Sequence, residues 1–196
     1  MKRIIGIVVF IATCFLAAES PGLLQAQPGP KASPPILVTS CGQSQGPAML
    51  NVILKRVGVD YDVTPLATVP DLKAKPYKSL IITMGASLKG MGAANISIDD
   101  ELGRIARLID EARKARITII GAHIEGLKRR AQGAEAGDTT DEQSIDAVAP
   151  KSDVLLVIKE GNSDGRFTAI AKAKKIPLVE VEKNMELVGA LQSIFK

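Results

Sequence analysis

The stretch Val154-Leu155-Leu156-Val157-Ile158 places five apolar residues in succession. A strand with one solvated face would alternate apolar and polar residues, but a strand buried on both faces is continuously apolar. Such strands are typical of a parallel sheet covered by helices. Four similar runs occur elsewhere in the chain, at Ile36-Leu37-Val38, Leu80-Ile81-Ile82-Thr83-Met84, Ile117-Thr118-Ile119-Ile120 and Leu178-Val179-Glu180-Val181.

Helical patterns separate these runs. The clearest begins after Ser97, a typical N-cap residue, and places Ile98, Leu102, Ile105, Ile109 and Ala112 on one face. Further helices are predicted at 47–57, 140–148, 164–174 and 184–195, and a further strand around Tyr61-Asp62-Val63. This alternation predicts an α/β fold: a three-layer α/β/α sandwich with a mostly parallel sheet of five or six strands, flavodoxin-like or Rossmann-like.

The first residues have the order of a secretory signal peptide. Lys2 and Arg3 precede an apolar run from Ile4 to Ala18, and Ala26 is a small residue suited to the cleavage site. We therefore predict a signal peptide at 1–26, a flexible leader at 27–34 and a single α/β domain at 35–196. The protein is expected to be exported, periplasmic or extracellular. Lipidation at Cys14 is a weaker alternative.

The charge balance argues against nucleic acid as a partner. The formal net charge is +4, and the chain has no Trp, two Tyr and four Phe, so few aromatic rings are available to stack on bases. Cleavage after residue 26 would leave Cys41 as the one cysteine, so no intramolecular disulfide is expected.

Ligands of such sheets bind beyond the carboxyl ends of the strands. Four loops there are rich in glycine or polar residues, whose backbone N–H groups can face an anion. The candidate ligand-binding residues are Ser40, Cys41, Gly42, Gln43 and Ser44 in the first loop, Gly85, Ser87, Lys89 and Gly90 in the second, His123, Glu125, Arg129 and Arg130 in the third, and Asn162 in the fourth.

A second chemistry is possible at the same edge. If they converge, Cys41, His123 and Glu125 could serve as nucleophile, base and orienting acid. Two structural alternatives stay open, a buried small apolar Cys41 and a hydrogen-bonded structural His123. His123 is the only histidine in the chain, so no metal site is predicted, and no cofactor is expected.

Two parts of the sequence resemble known families. The stretch Pro35 to Lys196 as a whole resembles a family of uncharacterised exported bacterial domains, which implies no reaction. The resemblance is clearest in Ile119-Ile120-Gly121-Ala122-His123-Ile124-Glu125-Gly126 and in Ala149-Pro150-Lys151-Ser152-Asp153, which leads into a later strand. The segment Ile36 to Gly42, continued to Met49-Leu50, resembles the phosphocysteine loop of sugar phosphotransferase IIB domains, where Cys41 would accept phosphate. It departs from that pattern by an extra residue before Cys41 and by Gln43 and Gln45. Low-molecular-weight phosphatases have an arginine where this chain has Pro47.

Three functions follow as hypotheses. The first is an exported domain that binds a small anionic metabolite through the strand-end loops. The alternative is a thiol-dependent hydrolase or transferase that uses Cys41 with His123. The third is an accessory subunit that binds a membrane transport protein or another exported protein.

Overall fold

The computed structural model describes residues 32–130 and 140–195. Its strands are β1 (Ile36–Cys41), β2 (Tyr61–Val63), β3 (Ser79–Met84), β4 (Thr118–His123), β5 (Val154–Ile158) and β6 (Leu178–Val181). All neighbouring pairs are parallel, and the strand order is β2-β1-β3-β4-β5-β6. This order is flavodoxin-like, and the predicted α/β/α class with a parallel sheet of six strands is confirmed.

Seven helices connect or follow the strands within the described ranges. They are α1 (Gly46–Val57), α2 (Val69–Lys73), α3 (Leu88–Ala93), α4 (Ile98–Lys114), α5 (Thr140–Val148), α6 (Arg166–Lys174) and α7 (Leu187–Ile194). None of the helices in these ranges is long and apolar enough to span a bilayer. The predicted signal peptide at 1–26 lies outside the described residues.

The strands are continuously apolar because their side chains pack into two separate cores, one on each face of the sheet. Along β1, Ile36 and Val38 pack in the core beneath α1 and α7, whereas Leu37 between them packs in the core beneath α2, α4, α5 and α6. Because successive side chains of a strand point to opposite faces, a sheet covered on both sides needs apolar residues at every position. The sequence pattern of the strands follows from this requirement.

Helix α4 begins where the sequence predicts. The Ser97 hydroxyl accepts a hydrogen bond from the Asp100 backbone N–H, and the Asp100 carboxylate accepts one from the Ser97 N–H. This reciprocal capping box satisfies two N–H groups that a helix start leaves unpaired. The buried face includes Ile105, Ile109 and Ala112, as predicted, and also Leu108.

Two predictions of the local chain path differ from the structure. β1 continues to Cys41, so Ser40 and Cys41 are strand residues rather than loop residues. The glycine-rich segment 85–94, predicted as a loop, contains helix α3, which the Ser87 hydroxyl caps by accepting from the Gly90 N–H at 3.1 Å.

The last part of the predicted leader is bound to the domain. The Ala32 N–H donates to the Ile194 carbonyl at 3.1 Å, and the Ser33 N–H donates to the Ser79 hydroxyl at 3.0 Å. Ala32 itself is buried. The folded unit therefore begins by residue 32 rather than at 35.

One buried ion pair connects helix α4 to the sheet. The Arg104 guanidinium donates to both carboxylate oxygens of Glu101, whose side chain is fully buried. It also donates to the backbone carbonyls of Ser40 and Ala67. Glu101 in turn accepts from the Gly42 N–H at 2.8 Å. The pair therefore joins the ends of β1 and α4 to the segment that follows β2.

We predict that Glu101→Gln destabilises the protein by about 3–5 kcal/mol, because a neutral amide leaves the charge of Arg104 buried without a counterion. Urea unfolding at neutral pH measures this change. Asp99→Asn, on the exposed first turn of the same helix, is the control and should change the free energy of unfolding by less than about 0.5 kcal/mol. Equal effects of the two substitutions would contradict this role of Glu101.

Candidate functional site

Cys41 is a core residue in this structure. It is the last residue of β1 and is fully buried. Burial raises the pKa of its thiol to about 12, although a side-chain hydrogen bond with Ser144 opposes the shift. The thiolate is the nucleophilic form of cysteine. The environment of Cys41 therefore favours the structural alternative over a nucleophile.

His123 makes structural contacts at the end of β4. Its Nδ1 lies 3.2 Å from the Met84 carbonyl oxygen and its Nε2 lies 3.1 Å from the Gly126 carbonyl oxygen. The ring also packs against Phe167, with centroids 5.0 Å apart. Burial lowers the pKa of His123, against the opposing effect of the two carbonyl contacts. Both ring nitrogens thus face backbone carbonyls in the core, and neither is open to a substrate for proton transfer.

The three candidate catalytic residues do not form a triad. β3 lies between β1 and β4, so two strand spacings, about 10 Å, separate the backbones of Cys41 and His123. Met84, on β3, pairs with Cys41 and lies between the two. The Glu125 carboxylate bonds to neither; it accepts from the Gly46 N–H at 3.0 Å and from Arg129 at 3.2 Å.

The loops that the sequence predicts to bind an anion do present backbone N–H groups to carboxylates, but the carboxylates belong to the protein. Each donor has an internal partner: Gly42 N–H donates to Glu101 at 2.8 Å, Gly46 N–H to Glu125 at 3.0 Å and Ala86 N–H to Asp141 at 2.7 Å. The Gly85 N–H donates to the Ser144 hydroxyl at 2.9 Å. An external anion would have to displace these groups.

The first two loops also pack tightly against each other. A Cβ atom on Gly90 would lie 2.1 Å from the Gln43 carbonyl oxygen, and one on Gly42 would lie 2.5 Å from the Cα of Ala86. The Gln43 side chain donates to Glu101, and the Ser44 N–H donates to the buried Ser40 hydroxyl. These contacts hold the two loops together at the ends of β1 and β3.

Two predicted residues of the third and fourth loops also have structural roles. The Arg130 guanidinium is nearly buried, pairs with Glu142 and Asp164, and lies over the Phe167 ring. The Asn162 amide oxygen accepts from the Phe167 N–H at 2.7 Å and so supports the start of α6. Neither side chain is free to hold a ligand without breaking these contacts.

Of two clefts formed by the described residues, the larger, which we call the main cleft, lies at the carboxyl edge of the sheet, between the start of α1 and the loops after β4, β5 and β6. Its volume is about 610 Å³, within the range of small-ligand sites. Of the predicted residues, Glu125 and Arg129 line it. The other lining residues are Gln45, Met49, Ile124, Gly126, Lys128, Ile158, Glu160, Glu182, Lys183 and Asn184.

Three acidic and three basic side chains line the cleft: Glu125, Glu160 and Glu182, and Lys128, Arg129 and Lys183. Glu125 and Arg129 pair with each other, and Glu182 pairs with Lys159 at 2.5 Å. Among the residues that the structure describes, Lys128 and Lys183 form no ion pair. Met49, Ile124 and Ile158 provide apolar surface beside these two ammonium groups. The arrangement can hold a small molecule with a negative group and an apolar portion.

A second cleft of about 520 Å³ lies on the outer side of β5 and β6. Its charged lining is mainly acidic, with Glu160, Glu180 and Glu182, and it includes Asn162. No cluster of three His, Cys, Asp or Glu side chains in residues 32–130 and 140–195 is arranged to hold a metal ion.

Sequence reasoning missed the loop after β6. Glu182-Lys183-Asn184 follows the last strand directly and is polar, which is the same signal that identified the other loops. Its position in the main cleft depends on β6 lying next to β5, and strand order could not be predicted from the sequence.

We predict that Cys41 in the native protein reacts with iodoacetamide at pH 8 at least about a hundredfold more slowly than a cysteine in a free peptide, because the thiolate is scarce and buried. Peptide mapping by mass spectrometry separates Cys41 from any other thiol. Labelling in urea should restore the rate of the free peptide. A native rate equal to the peptide's would revive the thiol-enzyme hypothesis.

The burial of His123 predicts a pH effect on stability. The folded-state pKa lies below the ordinary value of 6.5, so the unfolded state takes up the proton first. The free energy of unfolding should therefore be highest above pH 6.5 and fall as the pH drops through 6.5 toward the folded-state pKa. Urea unfolding at pH 7.5 and 5.5 measures the fall, and His123→Gln should flatten it. An identical pH dependence in the variant would contradict this assignment.

Comparison with solved structures returned distant similarities. A GDSL-like lipase from Bacteroides thetaiotaomicron is 17% identical over 76% of this chain and 71% of its own, with a TM-score of 0.35. A putative acylhydrolase from Bacteroides fragilis is 14% identical over 77% of this chain and 70% of its own, with a TM-score of 0.36. A sensor protein from Polaromonas is 13% identical over 72% of this chain and 98% of its own, with a TM-score of 0.31.

No curated protein matches the chain. A family model does match, over residues 33–195, which is most of the sequence and agrees with the resemblance to an uncharacterised family. The chain belongs to the family described as a domain of unknown function (DUF6305).

Proposed function

We propose that this protein is an exported binding module for a small organic anion, which it holds in the main cleft at the carboxyl edge of the sheet. The observation that carries the proposal is the pair of ammonium groups, Lys128 and Lys183, beside an apolar surface in a cleft of about 610 Å³. Neither forms an ion pair with a described residue, so either could bind a ligand carboxylate or phosphate.

The site differs from the one that the sequence predicts. The loops after β1 and β3 form internal hydrogen bonds. We therefore propose that the ligand binds in the cleft beside α1, on the face of the sheet opposite to α4. Arg129 supports the site from its edge, where it holds Glu125 against the start of α1. Glu160 adds a negative group to the lining, which favours a ligand that also carries a donor.

The alternative, a thiol hydrolase or transferase, has no such support. Any mechanism with a histidine base would require His123, the only histidine of the chain. Both of its ring nitrogens face backbone carbonyls in the core. The third hypothesis, an accessory subunit, stays a prediction.

A thermal-shift panel of organic acids, amino acids and phosphate esters tests the proposal, because a ligand that binds only the folded state raises the midpoint of unfolding. We expect at least one acid to raise it by several degrees. Lys183→Gln should then weaken binding by about 10–100-fold, the usual effect of losing one charge-assisted hydrogen bond.

Lys89→Gln is the matched control. Lys89 is an exposed lysine on α3, at the same edge but outside the main cleft, so its loss should leave the affinity unchanged. A panel without any shift would count against a binding function. Equal losses in the Lys89 and Lys183 variants would show that the charge acts at long range rather than in the cleft.

A further inference from the structure

The amino edge of the sheet, opposite the main cleft, carries a row of cations. One exposed basic residue precedes each of four neighbouring strands: Lys78 before β3, Arg116 before β4, Lys151 before β5 and Lys175 before β6. Neighbouring strands lie about 4.8 Å apart. The four side chains therefore follow one another across the edge.

The ends of the helices extend this row. With them, the amino edge has twelve exposed basic residues, which we call the basic edge: Lys55, Arg56, Lys73, Lys75, Lys78, Arg113, Lys114, Arg116, Lys151, Lys172, Lys174 and Lys175. At least six acidic residues lie in the same region, Asp60, Asp62, Asp71, Asp110, Glu111 and Asp153. Three of the basic residues form ion pairs, Lys73, Lys75 and Arg113. The other nine have no ion-pair partner among the described residues.

Two of these cations occupy positions that favour glycine. Arg116 follows α4 with φ of 56°, and Lys175 follows α6 with φ of 57°. Glycine is the usual residue at a left-handed position after a helix, because a side chain there is strained. Basic residues near a helix end are favoured by the helix dipole, but that effect does not require the strained position itself. Both residues are exposed, so their charges face the solvent at the amino edge.

The chain also enters the domain at this edge. Ala32 bonds to the end of α7, and Ser33 bonds to Ser79, the first residue of β3. Residues 27–31, which remain after the predicted cleavage, therefore join the domain at the basic edge.

We propose that the basic edge docks on the surface of a bilayer that contains anionic phospholipid. Charge complementarity selects this partner, since lysine and arginine near an anionic membrane are attracted to it. Single-stranded nucleic acid fits the basic edge less well than a bilayer does. Proteins that bind single strands stack the bases on exposed aromatic side chains. The tyrosines of this region do not offer them: Tyr77 is buried, and the Tyr61 hydroxyl is bonded to Asn51.

Sedimentation with vesicles tests this proposal. The protein used is the processed form purified from its host. Vesicles of phosphatidylcholine with 30% phosphatidylglycerol should bind the protein, and vesicles of phosphatidylcholine alone should not. The difference between the two removes any contribution from an apolar segment. Binding should disappear in 0.5 M salt, where charges are screened within a few ångströms.

The double variant Arg116→Gly with Lys175→Gly separates this role from folding. It should keep or raise the midpoint of thermal unfolding, because glycine relieves the strained φ, and should weaken vesicle binding by about tenfold or more. Asn95→Gly, also at a positive φ of 52° but away from the basic edge, is the control and should bind like the unchanged protein.

Three results would overturn the proposal: equal binding to both kinds of vesicle, unchanged binding by the double variant, or binding to a short single-stranded RNA in place of the anionic vesicles. None of these outcomes depends on the ligand of the main cleft. A failure here is therefore distinguishable from a failure of the proposed binding function.

Discussion

The buried ion pair of Glu101 and Arg104 lies where flavodoxin-like folds ordinarily bind their ligands. In a flavodoxin-like sheet the natural ligand crevice lies where the chain reverses direction across the sheet, here between β1 and β3. Glu101 accepts the N–H of Gly42 in that crevice, and Arg104 binds the carbonyl of Ser40 beside it. Because burial of either charge alone would be costly, each requires the other, and an external anion would have to displace Glu101 from the Gly42 N–H.

The same chemistry recurs at two other loops, with Glu125 at the start of α1 and Asp141 at the end of β3. Backbone N–H groups at strand ends attract negative charge whatever its source. In this protein the source is its own side chains. Loops with the composition of an anion-binding site can therefore have a structural role, in which they bind carboxylates of the same protein. The main cleft lies elsewhere and includes lysines without a carboxylate partner among the described residues.

The sequence was sufficient to predict the fold class but not the strand order or the location of the candidate site, for physical reasons. Continuous apolar runs such as Val154–Ile158 report burial on both faces, which is a local property, and the Ser97 cap is local as well. Whether Cys41 is a loop nucleophile or a core residue depends on how far β1 pairs with β3. Whether Lys183 and Lys128 line the same cleft depends on β6 lying beside β5. Strand pairing joins residues that are far apart in the sequence, so neither outcome could be predicted from one segment of the chain.

The parallel sheet also separates the two proposed surfaces. Every strand points from the basic edge toward the main cleft, so the two surfaces lie at opposite ends of strands that are up to six residues, or about 20 Å, long. A domain docked through the basic edge would turn its cleft away from the bilayer, open to the surrounding solution. The acidic first turn of α4 (Asp99, Asp100 and Glu101) and its basic last turn (Arg113 and Lys114) would then serve two purposes at once. They complement the helix dipoles, and they orient the domain in the field of an anionic surface.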